Sequence, residues 1–117
     1  MILNAVVVSG DVQEQTFYDQ GTGAPKPGWV VNLTVLDADT DEKFECQVTE
    51  GFPRLEELKD LRRRGEATDV LRQVADQLRA ELPPKYAPLT LEVLKFKGKQ
   101  VAFLKLVCRL AGVAAAA

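Results

Sequence analysis

The chain has 117 residues, 46% hydrophobic and 27% charged, with a formal net charge of −2 and no histidine. That describes one globular domain able to bury its own core, not a uniformly basic nucleic-acid binder. It also excludes Ser-His and Cys-His catalysis and the commonest zinc sites. No apolar run reaches the roughly 18 residues of a membrane span, and MILNAVVVSG has no basic flank to read as a signal peptide. Cys46 and Cys108 sit in alternating apolar patterns, so buried free thiols in a reducing cytoplasm are expected. The charge is asymmetric: residues 1–50 carry two bases against nine acids (−7), and residues 51–117 thirteen bases against eight acids (+5). A locally basic groove is therefore compatible with the acidic total.

Residues 2–16 predict a first strand, with β-preferring Val6, Val7 and Val8 and a bulge or bend at Gly10. Residues 17–28, with three glycines and two prolines, read as a loop between Phe17-Tyr18 and Trp29. Residues 29–37 and 43–49 alternate as two more strands. Val31, Leu33, Val35, Phe44, Cys46 and Val48 face inward; Val30, Asn32, Thr34, Lys43, Glu45 and Gln47 face outward. The polar turn between them, with Asp37, Asp39, Asp41 and Glu42, lacks the glycine and final acid of a calcium loop and reads as solvated.

Pro53 starts a helix through Leu55, Leu58 and Leu61 that stops at Gly65. Arg62, Arg63 and Arg64 suit its C-terminal dipole and, alternatively, a phosphate contact. A second helix runs from about Ala67 to Glu81, with Thr68 as N-cap and a stripe of Val70, Leu71, Val74, Leu78 and Leu82. Pro83-Pro84 ends it.

Residues 89–110 read as a hairpin turning at Gly98-Lys99. That register pairs Lys97 with Gln100, Leu94 with Phe103, Val93 with Leu104, Leu91 with Leu106 and Leu89 with Cys108. The last three pairs are apolar and belong to a core. The other face carries the patch Leu94, Val101, Phe103 and Val107, expected to mark a subunit interface of a homo-oligomer. The tip combines Phe96 with Lys95, Lys97 and Lys99.

The expected fold is mainly β with an α insertion, in the order β-β-β-α-α-β-β, over residues 1–112. The helical insertion covers residues 53–82, and an alanine-rich tail covers residues 113–117. A long first strand with a mid-strand glycine, and helix between strands three and four, resembles the OB-fold, a five-stranded barrel. At the level of element order the whole chain looks like a small single-stranded-DNA-binding protein of bacterial, phage or plasmid type. It departs from the usual bacterial pattern in its longer helical insertion and in ending at Ala114–Ala117 without an acidic tip.

The resemblance implies a groove across strands two and three, flanked by residues 17–28 and 97–100. Stacking would fall to Phe17, Tyr18, Trp29 and Phe96, and phosphate contacts to Lys26, Lys95, Lys97, Lys99 and Lys105. Asn32, Thr34, Lys43 and Gln47 would line the floor. Phe103 serves either the ligand or a subunit contact. Trp29 can equally pack under the long loop, and the lysines can simply keep an edge hairpin soluble. The implied function is sequence-tolerant binding of single-stranded DNA, or of RNA, with no cofactor, no metal, no membrane and no catalysis. The alternative is a protein-interaction or assembly module on the same barrel.

Overall fold

The computed structural model describes residues 1–18, 21–97 and 105–113, with backbone only at Phe17, Lys26, Pro27, Lys97 and Val113. The valine-rich start forms one long strand, β1 (Ile2–Tyr18), followed by β2 (Pro25–Asp37) and β3 (Lys43–Glu50). Two helices, α1 (Pro53–Arg63) and α2 (Thr68–Glu81), precede β4 (Pro88–Lys97) and β5 (Lys105–Val113). The strands close in the order β1-β2-β3-β5-β4, and β4 returns to β1. Among the described residues only the β3–β5 pairing is parallel. This is the expected OB-like five-stranded barrel with both helices inserted between β3 and β4.

Closure requires β1 to serve two neighbours. Ile2–Val6 pair with β4, while Ala5–Tyr18 pair with β2. The register slips between Val7 and Ser9, so the bulge falls at Val8 rather than at Gly10. Gly10 serves close packing instead: a Cβ there would lie 2.6 Å from Cδ2 of the buried Leu33.

The β1–β2 ladder runs further than the sequence suggests. Phe17 pairs with Lys26 and Tyr18 with Pro25, so both ends of the expected 17–28 loop are strand. β3 reaches β2 only over Val31–Leu36. Among the described residues no second strand pairs with Pro25 and Pro27, and a missing N–H is tolerated on such an edge.

The β4–β5 register also differs from the tight turn expected at Gly98-Lys99. Lys97 pairs with Lys105, Val93 with Cys108 and Leu91 with Leu110; residues 98–104 lie outside the described residues. Leu91 and Val93 still face the core. Their partners move by four positions, and an even slip preserves period-two alternation. A bulge between Val93 and Lys95 then sets Lys95 opposite Val107 and Phe96 opposite Leu106.

Pro53 opens α1, and the helix closes with two bonds. Gly65, at φ +75°, donates N–H to the Arg62 carbonyl, and Glu66 donates to that of Leu61. That is the Schellman arrangement, which needs a left-handed residue at the position Gly65 holds. In α2 the N-cap is Ala67, not Thr68, and no side chain caps it. Its buried stripe is Leu71, Val74, Ala75 and Leu78, while Val70 is 38% exposed. Both helices pack on one end of the barrel, joining Trp29, Val12 and Phe52 in a single core with the strand interiors. Arg54 ties the helices together, donating from Nη2 to Glu81 at 2.7 Å and from Nη1 to Glu57 at 2.8 Å. Among the described residues no helix is long and apolar enough to cross a membrane.

Candidate nucleic-acid interface

Alternation sends Val31, Leu33, Val35, Cys46 and Val48 into the barrel. Their neighbours Asn32, Thr34, Glu45 and Gln47 therefore face outward. Register aligns them: Asn32 pairs with Gln47, and Thr34 with Glu45. The parallel pairing carries both rows onto β5, with Gln47 opposite Val107 and Glu45 opposite Lys105. β4 completes them, with Lys95 opposite Val107 and Lys97 opposite Lys105. Two cross-strand rows thus join the outer face of β2 and β3 to the β4–β5 ribbon.

The floor of this face is held by its own hydrogen bonds. Asn32 donates from Nδ2 to Gln13 Oε1 at 2.7 Å, and Gln47 from Nε2 to Gln15 Oε1 at 2.6 Å. The Thr34 hydroxyl donates to Glu45 Oε2 at 2.8 Å, and Lys43 Nζ lies 3.9 Å from Glu45 Oε1. Gln13 and Gln15 alternate with the buried Val12 along β1. That alternation is the one sequence signal that marks them as outward residues able to reach this floor. Among the described residues no donor reaches the buried Asn32 Oδ1.

The expected site residues divide by accessibility. Tyr18 (69% exposed) and Phe96 (55% exposed) present open aromatic faces. Lys43 and Lys95 are exposed, and Lys105, Asn32 and Thr34 are half-buried. Two residues depart from expectation. Trp29 points inward and is buried under the helices, because it shares strand parity with Val31. Gln47 faces outward yet is buried, with its amide bonded to Gln15, so an outward position is not necessarily an exposed one. At Phe17, Lys26 and Lys97 only the backbone is described, and Lys99 lies outside the described residues.

The apolar patch expected on the last two strands is also altered. Leu94 occupies the β4 bulge and is 47% exposed, but Val107 is buried beside Gln47. Val101 and Phe103 lie outside the described residues.

The charge on the face is mixed. Glu45 stands between Lys43 and Lys105, breaking the basic path on β3. At the far end of β2, the Asp37 carboxylate accepts N–H groups from Asp39 at 2.8 Å and Thr40 at 3.1 Å. Those bonds hold its pKa below the usual carboxylate range. The acid turn is thus closed on itself. No protein-family model matches the chain, and no curated protein or solved structure matches it.

Proposed function

We propose that the protein binds single-stranded DNA, without catalysis, across the outer face of β2 and β3 and the β4–β5 ribbon. The observation that carries this reading is the register that brings Lys95 and Lys97 of β4 into line with the outer face of β2 and β3. Both lysines occupy register positions that continue the Asn32–Gln47 and Thr34–Glu45 rows. Cations in line with a polar floor supply phosphate contacts, and exposed Phe96, which alternation sets on the other side of β4 from both lysines, offers a separate stacking surface.

The test is a titration with fluorescent oligo-dT at two salt concentrations, with duplex as control. Binding to dT that weakens with salt supports the reading. The triple variant Lys95→Ala, Lys97→Ala, Lys99→Ala should bind more weakly, with a shallower dependence of log K on log salt. No binding to dT at low salt removes the proposal.

A second reading, a protein-interaction module on the same barrel, is favoured by Glu45 interrupting the basic path. It predicts no dT binding at any salt. Self-association through the last two strands is a companion proposal. It draws on Leu94, and a sedimentation mass equal to the monomer removes it.

A further inference from the structure

The connection from α2 to β4, residues 82–87, holds Tyr86 at φ +69°. A left-handed backbone is an outlier for so bulky a side chain. Strand β1 keeps it there: the Tyr86 N–H donates to the Val7 carbonyl at 2.6 Å, and the Val7 N–H donates to the Ala87 carbonyl at 3.0 Å. The ring gains little burial in return, since Tyr86 is 64% exposed. Strained residues that their surroundings hold in place cluster at ligand clamps.

That ring borders a groove of about 590 Å³ between this connection, the start of α1 and β5. The volume falls within the range of about 300–1,000 Å³ usual for small-molecule sites. Phe52 is the buried part of its lining, Leu82 and Leu110 are half-buried, and Pro84, Pro88 and Tyr86 are exposed. Two charged residues complete it, Glu81 and Lys85. Both oxygens of Glu81 accept from Arg54, at 2.7 and 3.3 Å, so this carboxylate is already matched. Lys85 Nζ lies 5.1 Å from the Tyr86 ring centroid, and among the described residues no carboxylate pairs with it. The groove thus joins accessible apolar and aromatic surface to one unmatched positive charge.

We propose that this groove binds a small aromatic monocarboxylate, with its ring against Tyr86 and the prolines and its carboxylate on Lys85. Flat rings offset or edge-on suit a wall built from a tyrosine and proline rings. An ammonium above a ring face still has N–H donors for a carboxylate. The site is separate from the single-strand face and does not depend on that reading. Pro88 opens β4 and Lys95 lies near its other end, roughly 20 Å away at the rise of a strand.

The probe is phenylbutyrate, with phenylbutanol as its uncharged counterpart, each titrated while backbone amide shifts are followed by NMR. Phenylbutyrate should move the amides of Leu82, Tyr86, Ala87 and Leu110 and leave those of Asn32, Thr34 and Gln47 in place. Phenylbutanol should bind about two- to fivefold more weakly, the range for one exposed charge pair. Lys85→Ala should weaken phenylbutyrate by the same factor and leave phenylbutanol unchanged. Tyr86→Gly should abolish binding of both. Glycine accepts the left-handed backbone, so the thermal midpoint should hold and a lost ring is told apart from a lost fold. Both variants should bind oligo-dT as the wild type does, so failure of the single-strand reading leaves this test intact. Shifts absent at millimolar phenylbutyrate, or confined to other residues, overturn the proposal. Equal affinity for the acid and the alcohol overturns it as well, because Lys85 then selects no carboxylate.

Discussion

Arg79 of α2 closes a fork on Asp11 of β1, with Nε 2.7 Å from Oδ1. The same guanidinium donates to the Val12 carbonyl at 2.6 Å and to Asp76 at 2.6 Å. A helix surface is thereby fastened to the strand that bends around the barrel. The Arg79 hydrogen bond, assisted by the Val12 N–H, holds the Asp11 carboxyl below its usual range. A depressed carboxylate contributes stability above its unfolded value, about 3.9, and loses it as pH falls through the folded value. The thermal midpoint of the wild type should therefore drop below about pH 4 more steeply than that of Asp11→Asn. Asp37 and Glu81 share the sign, so the difference between the two proteins isolates Asp11. Both partners are about half exposed, so the pair is worth about 1 kcal/mol at most and should weaken with salt. Arg79→Ala should cost more than Asp11→Asn, because it also strips the Val12 carbonyl. Equal acid slopes for wild type and Asp11→Asn would show the fork to be energetically idle.

Gly51 has φ +105°, and a Cβ there would lie 2.4 Å from the backbone oxygen of Leu110. Backbone cannot swing aside as a side-chain tip can. Gly51→Ala should therefore lose at least about 2 kcal/mol in urea unfolding, from strain plus overpacking. Gly65 also has a positive φ, +75°, but nothing lies within 4 Å of its Cβ position. Gly65→Ala should cost about 1 kcal/mol, the left-handed penalty alone. A Gly65→Ala variant as unstable as Gly51→Ala would contradict the role of the Leu110 contact.

The barrel was legible in the sequence because alternation along Val31–Val35 and Phe44–Val48 fixes which side is core whatever the partner strand. The strand partner was less legible. Leu91 meets Leu110 instead of Leu106, since both candidate partners are leucines of the same parity and only the connection length separates them. Tyr18 and Pro25 read as loop because proline and glycine dominate nearby, although the β1–β2 ladder accommodates them. At the site, parity placed Asn32, Thr34 and Gln47 on one face. Parity says nothing of cover, so the burial of Gln47 is not legible in it. Trp29 shows the same limit: an aromatic beside a loop can stack or pack, and its register places it beneath α1 and α2.

Accessibility separates stacking aromatics from structural ones. Tyr18 and Phe96 are exposed, so Tyr18→Ala and Phe96→Ala should leave the thermal midpoint nearly unchanged. Each should weaken oligo-dT binding about fivefold or more, as loss of a stacked base requires. Trp29→Ala should behave in the opposite way. It empties a core position and should cost about 3–5 kcal/mol, a large part of the 5–15 kcal/mol typical of a domain. Anisotropy titrations paired with thermal melts on the three variants check the contrast. Full dT affinity in both surface variants would remove stacking at these rings from the mechanism.

Glu45 offers the sharpest test of whether a phosphate backbone crosses β3. It accepts the Thr34 hydroxyl, pairs with Lys43 and stands opposite Lys105 in register. Glu45→Gln keeps an oxygen for Thr34, so the fold should be unaffected. It removes one negative charge from the middle of the face and releases Lys43 and Lys105 from its field. In a hydrated groove a charge several ångströms from phosphate is worth about 0.5–1 kcal/mol, so dT affinity should rise about two- to fivefold at low salt. The gain should fade toward 1 M salt, where the screening length is about 3 Å. Glu66→Gln, between the helices and away from both rows, should change neither affinity nor salt dependence. If Glu45→Gln and Glu66→Gln bind dT alike at low salt, no strand passes over β3. The Thr34–Glu45 row would then be a surface reserved for a different partner.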